Sequence, residues 1–256
     1  MLHLLKRHPI PVVAHFDFTL ALTFAFPAEV LRPLLYPGLS LDLYGEWGFV
    51  AVAMVRTRGM RAEFLPERCG RDFFLTGYRI FVRRRTNAGR NLRGLQVLRS
   101  DTDRAAMVRM GNLFTHYHYA LADVAVHRDA SRLAVKIATP RAEADFEAVV
   151  SLGSAEQALP EDSIFPDLRT ARRFAGPMPF TFSYEPQTRS IVSIEGVRQE
   201  WHPRLVPAEV RRATFFQTRG LAAETPRPAS AFLVENVPYR WERGVVEPLR
   251  LGGLAR

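Results

Sequence analysis

The sequence predicts a mainly β chain whose strands close, or nearly close, into an antiparallel β-barrel carrying a few short helices. Three observations carry that class. Residues 13–26 alternate between an apolar set and a small or polar one. Runs of similar character recur about a dozen times, bounded by turn residues, and helical spacing is confined to two or three brief stretches. A parallel βαβ sheet would need long helices between its strands, and the pattern lacks them.

The first ribbon puts Val13, His15, Asp17, Thr19, Ala21, Thr23 and Ala25 on one face. Ala14, Phe16, Phe18, Leu20, Leu22, Phe24 and Phe26 form the other, which reads as strongly buried. Residues 27–35 have helical spacing at Val30, Leu31 and Leu34, limited by Pro33. Strands over 39–44 and 47–58 flank Gly45-Glu46, a hairpin turn signal. The run 73–84 ends at Asn87-Ala88-Gly89-Arg90, with 92–98 as its return. Ser100-Asp101-Thr102-Asp103 supplies a capping signal for a short helix over 105–110, which Gly111 is expected to stop. Further strands are expected at 117–127, 133–138, 146–152, 180–185, 189–199, 210–217 and 231–234. The proline-rich stretch 156–179 is weakly periodic and reads as an excursion over the barrel or as a boundary. Neither half has an obvious core of its own, so residues 1–256 read as one domain.

With 256 residues, 47% hydrophobic and 24% charged, the composition excludes a disordered chain. The best apolar stretch, Trp47 to Val55, is nine residues long, well under the ~20 that a membrane-crossing helix needs. Lys6, Arg7 and Pro9 are not followed by the apolar segment of a signal peptide. The single cysteine, Cys69, excludes an intrachain disulfide and a multi-cysteine metal site. A cytoplasmic protein with no membrane partner is expected. The formal charge of +9 is almost wholly arginine, since only Lys6 and Lys136 among 35 basic residues are lysines. These arginines are scattered among acids from Arg7 to Arg256, which reads as a solvated surface and argues against nucleic acid. The densest run, Arg83-Arg84-Arg85, is the candidate polyanion site.

No phosphate-binding glycine loop, HExxH, paired CxxC or GxSxG is present. The segment Phe114-Thr115-His116-Tyr117-His118-Tyr119 gathers imidazoles and phenols. On a strand His116 and His118 would face the same side. They can serve as general acid and base near neutral pH, or as rim residues with satisfied ring nitrogens. A metal shared by the pair would need a third ligand from His15, Asp17 or a distant acid, so no metal or other cofactor is expected. His15 and Asp17 line a cavity if their face turns inward, and simply meet water if it does not. Arg79 shares a face with Phe73, Leu75, Gly77 and Phe81. Inside a cavity its two-pronged donor would hold a carboxylate; outside, it is a surface arginine. Lys136 has small same-face neighbours, Ala134 and Ala138, leaving room for a functional amine if that face is buried; an exposed strand lysine is the alternative. Cys69 lies among charged residues with no partner motif and reads as incidental.

The order of these pieces resembles the acetoacetate decarboxylase-like superfamily, and within it the bacterial YqjF-like branch of unknown function. The resemblance spans most of the chain. It is carried by Phe24-Ala25-Phe26-Pro27, by Leu35-Tyr36-Pro37-Gly38-Leu39 and the hairpin through Gly45, and by the polar strand 73–82 before 103–110 and the 114–119 entrance. Arg198-Gln199-Glu200-Trp201-His202-Pro203 and Val237-Pro238-Tyr239-Arg240-Trp241 complete it. The resemblance implies an antiparallel β-barrel with an internal, partly apolar cavity, and assembly into homo-oligomers. It also implies a Schiff-base lysine just after a short helix, but His116 stands nearest that position here. An imidazole cannot form the iminium, so the family's decarboxylation does not carry over. Glu67 would match the assisting glutamate, and Asp17 falls near the cavity arginine.

The expected cavity is lined by parts of 13–25, 73–82 and 116–126. The expected partner is a small molecule bearing a carbonyl or a carboxylate. Its protein would be a small-molecule-binding barrel, able to act as an enzyme without a Schiff base. His116 and His118 would be the acid and base, and His15, Asp17, Arg79 and Tyr117 would surround the substrate. The alternatives are a non-catalytic binding or regulatory module in the same cavity, and a polyanion-binding protein.

Overall fold

A computed structural model describes residues 2–153, 159–174, 178–199, 201–218, 221–222 and 224–250. Among the described residues the strands are, in chain order, β1 (Val12–Pro27), β2 (Ser40–Leu41), β3 (Trp47–Ala62), β4 (Arg71–Arg85), β5 (Asn91–Thr102), β6 (Tyr119–Leu121), β7 (Asp123–Arg128) and β8 (Arg132–Ala138). They continue as β9 (Phe146–Ser151), β10 (Phe180–Glu185), β11 (Ser190–Arg198), β12 (Arg204–Leu205), β13 (Ala208–Ala213), β14 (Arg227–Trp241) and β15 (Val245–Pro248). The α-helices are α1 (Ala28–Leu31), α2 (Ala105–Phe114) and α3 (Leu168–Arg172).

Seven strands pair in the order β14-β1-β3-β4-β5-β10-β11, and β11 pairs back with β14 through Gly196–Trp241, Val197–Arg240 and Arg198–Tyr239. The sheet therefore closes into a ring, as the strand pattern predicts. It is not antiparallel throughout: β10 runs parallel to β5, with Thr181 opposite Leu95. A second, four-stranded antiparallel sheet, β13-β9-β8-β7, lies against the outside of the ring.

The long alternating strand does not keep one face for its whole length. Between Phe16 and Phe18, β1 carries one more residue than β3, and the alternation flips there. Before the bulge Ala14 and Phe16 point into the ring; after it Thr19, Ala21, Thr23 and Ala25 do. The large residues Phe18, Leu20, Leu22, Phe24 and Phe26 turn outward and pack with Leu133, Val135, Ile137, Phe146 and Val150 of the second sheet. Tyr78 joins the two layers: its hydroxyl donates to the Ala144 carbonyl at 2.9 Å, and its ring stacks on Phe215.

The ring interior is divided. At one end Phe49, Phe81 and Phe232 meet Phe165, Phe174 and Met178, so part of the proline-rich stretch packs in as a plug. The other end is open. There α2 lies beside β6, and the unforeseen 3-10 helix Leu2–Arg7 is tied on by His8, whose N–H donates to the Phe114 carbonyl. Arg7 also donates two hydrogen bonds to the fully buried Glu185 carboxylate.

Several sequence expectations change. Gly111 does not stop α2, which runs on to Phe114; the glycine is needed because a Cβ there would collide with the Tyr119 ring. Residues 117–127 are two strands preceded by a loop, and 210–217 ends as a 3-10 helix, Thr214–Gln217. Strand 39–44 shrinks to Ser40–Leu41.

Candidate functional site

The open half of the ring holds a cavity of about 870 Å³. Its walls come from alternate residues of the ring strands: Phe16 and Thr19 of β1, Val55 and Thr57 of β3, Phe73, Leu75 and Arg79 of β4, and Leu95 and Val97 of β5. Thr181 of β10 and Tyr239 and Trp241 of β14 complete the wall. Met107, Met110 and Gly111 of α2 and the segment His8–Ile10 form part of the mouth.

Arg79 is the charge inside. Its guanidinium folds back over Gly77, with Nε 2.6 Å from where a Gly77 Cβ would stand. Among the described residues no carboxylate pairs with it, and its buried Nε has no hydrogen-bond partner. Its field reaches Tyr117, Tyr119 and Tyr239, all of which line the same cavity. Burial pushes all three phenols up, Tyr119 to about 12, and all three stay protonated; the opposing pull comes from Arg79 at Tyr119, from Thr181 ahead of Arg79 at Tyr117, and from Arg198 ahead of Arg79 at Tyr239. The Tyr117 hydroxyl has the Thr181 side chain beside it and makes no well-formed hydrogen bond.

The alternation through the 115–119 loop decides the rest. Thr115, Tyr117 and Tyr119 line the cavity, while His116 and His118 do not. Burial, with Lys6 second, pulls the His116 imidazole below its ordinary value; its buried Nε2 has no hydrogen-bond partner. His118 is exposed, sits at φ +55°, and lies with Tyr36 and Gln96 around a smaller pocket. Neither His15 nor Asp17 lines the cavity. They lie at the bulge, on the outer side, where Arg58 donates to Asp17 at 2.6 Å.

The imidazole that does line the cavity is His8, which sequence reasoning missed because the first ten residues have no periodicity and no motif. Its Nδ1 lies 2.9 Å from the Glu242 carbonyl, which can only accept, so Nδ1 carries the proton and Nε2 the lone pair. Burial holds its pKa down. His8 sits at φ +55°, a conformation costly for a non-glycine residue, held by bonds from its N–H to Phe114 and from the Gly244 N–H to its carbonyl. Tyr239 and Trp241 were legible in principle, since they alternate along β14 with Val237.

Both lysines lie elsewhere. Lys136 is exposed on the outer face of the second sheet, opposite Glu147, and Lys6 is next to His116 rather than in the cavity. Glu67 is exposed and does not line it, whereas Cys69 is an exposed residue of the lining. In the arginine run, Arg83 donates to buried Asp42 and Arg84 is itself buried against Ser193 and Glu247, so two of three guanidiniums serve the fold. Among the described residues no three His, Cys, Asp or Glu converge as a metal site, and no helix is long and apolar enough to cross a membrane.

A family model described as an uncharacterized conserved protein, DUF2071, matches residues 14–238. The chain belongs to the DUF2071 family. No curated protein matches it. The fold of this DUF2071 chain is that of the acetoacetate decarboxylase-like structures. One is acetoacetate decarboxylase from Legionella pneumophila, at 13% identity and a TM-score of 0.59 over 94% of this chain and 89% of that one. Another is the enduracididine biosynthesis enzyme MppR, complexed with the condensation product of pyruvate and imidazole 4-carboxaldehyde, at 11% and 0.63 over 94% and 90%. A third is an acetoacetate decarboxylase-like enzyme from Sphingomonas wittichii, at 11% and 0.58 over 95% and 94%. The resemblance drawn from the order of sequence elements is thus present in three dimensions.

Proposed function

We propose that this DUF2071 chain binds a small carboxylate-bearing metabolite inside the ring, with Arg79 as its anchor. The observation that carries the reading is the unpaired guanidinium in an apolar chamber. A partly buried cation without a counter-charge is costly, and a bound carboxylate would meet it with two parallel hydrogen bonds. Protonated Tyr117 and Tyr119 stand near enough to feel its charge and can donate to the remaining anion or carbonyl oxygens. The reading is supported by MppR, a structure of the same fold complexed with pyruvate.

The acid–base role that the sequence offered to His116 and His118 passes to His8, which lines the mouth and meets whatever part of the ligand extends there from Arg79. With its proton fixed on Nδ1, its Nε2 lone pair is the base. Turnover would proceed without a Schiff base, since no lysine lines the chamber. Thermal shift with a panel of small oxo and hydroxy acids tests the binding. Arg79→Met should abolish the shifts, while His8→Gln should keep them and remove any turnover. Shifts unchanged in Arg79→Met would overturn the reading.

A further inference from the structure

We infer that the ligand is a monocarboxylate with a long apolar body, of which a saturated fatty acid is the simplest member. This rests on Arg79 being the carboxylate anchor and goes beyond it in fixing what is attached to the carboxylate.

The length of the cavity is the first argument. On β4 the rim is marked by Arg71, opposite Met60, and the guanidinium of Arg79 lies level with Gly77. Those six residues of strand span about 20 Å at roughly 3.3 Å each. Leu95 and Met178 continue the lining past that level, and a three- or four-carbon acid bound at Arg79 would leave the shaft between it and the rim unfilled. The second argument is the wall between the two levels. Phe16, Val55, Phe73, Leu75 and Trp241 face the cavity there, with Thr57 the polar residue opposite Phe73, and the other cationic lining residues, Arg61, Arg71 and Arg104, lie toward the mouth. Arg61 is engaged by the Leu65 and Gly59 carbonyls, and Arg104 lies 3.8 Å from Asp103. One charge can therefore be met at the level of Arg79; exposed Arg71 stands about 20 Å away at the rim, beyond the reach of a second carboxylate on a shorter body, which would be stranded against hydrocarbon. The third argument is the rim. Phe64, Leu65 and Met110 line the cavity yet are 72%, 39% and 52% exposed. They carry the apolar surface out to solvent, where the far end of a long body would cover it.

Titrating the intact protein with sodium acetate, octanoate, dodecanoate and dodecanedioate, each below its micellar concentration, tests this. Affinity should climb with chain length, by up to about fourfold per methylene, and dodecanedioate should bind far more weakly than dodecanoate. Leu75→Trp, which fills the middle of the shaft, should lower the length at which the gain stops. It serves as a second probe should Arg79→Met fail to fold. An Arg79-dependent affinity as tight for acetate as for dodecanoate would overturn the long body and leave the anchor standing. Affinity for dodecanoate unchanged in folded Arg79→Met would overturn the anchor itself, and no binding by any of the four acids would overturn both.

Discussion

The guanidinium of Arg79 occupies the space that a side chain on Gly77 would need. The two residues lie on the same face of β4, two positions apart, so the glycine is what lets the arginine lie flat along the wall. Gly77→Ala should therefore displace the guanidinium, a flexible group that can move, without unfolding the ring. Anion affinity should fall about tenfold, since a charged hydrogen bond is worth roughly 1.5–3 kcal/mol. Calorimetric titration with a bound acid measures the loss. An affinity equal to wild type would mean that the guanidinium position is not what the ligand reads.

Gly111→Ala offers a case in which two effects oppose each other. Alanine inside a helix is favoured over glycine by about 1 kcal/mol. Here the new methyl would enter the Tyr119 ring, itself held by the pairing of β6 with β5. The ring cannot swing away cheaply, so the overpacking cost of about 1–3 kcal/mol should win. Urea unfolding of the variant should show a lower midpoint; a higher one would show that the wall yields.

The third prediction concerns amine chemistry. Neither Lys6 nor Lys136 lines the cavity. Incubation with acetoacetate or pyruvate followed by borohydride should leave the intact mass unchanged. A reduced adduct mapped to either lysine would refute this.

Acid should loosen the N-terminal tie. Hydrogen bonding from Arg7, then from Thr188, holds the buried Glu185 carboxylate at about 2, below its ordinary 4.5. A depressed folded-state value means that the stabilisation is complete above about pH 4.5 and is lost as pH falls towards 2. Wild-type stability should decline across that window, while Glu185→Gln, weaker at neutral pH, should lose less over it. Parallel declines in thermal scans from pH 5 to pH 2.5 would remove Glu185 from the account.

Much of the fold was legible because period two is a strong signal. The face Phe73, Leu75, Gly77, Arg79 and Phe81 was read from alternation alone, and it is the inner face of the ring: Phe73, Leu75 and Arg79 line the cavity and Phe81 joins the plug. The same rule failed for β1, because a bulge at Asp17 swaps the faces and nothing local in Phe16-Asp17-Phe18 announces it. His15 and Asp17 were misplaced as possible lining for that reason. At 115–119 the alternation was right but its sign was undetermined, and the tyrosines rather than the histidines took the inner side. His8 was beyond reach: its place depends on contacts with Phe114, Glu242 and Gly244, all more than 100 positions away along the chain.

The aromatic plug has a kinetic corollary. With Phe49, Phe81, Phe165 and Phe174 packed behind Arg79, the described residues shape the chamber as a sac rather than a tunnel. Whatever enters must leave by the same doorway, and a ligand seated head-first must back out with its charged end last. Departure of the proposed long-bodied carboxylate would then begin by breaking its ion pair with Arg79 while the body still fills the exit. Newly arriving molecules cannot push the old one through, so occupancy turns over one guest at a time, at a pace set from the inside.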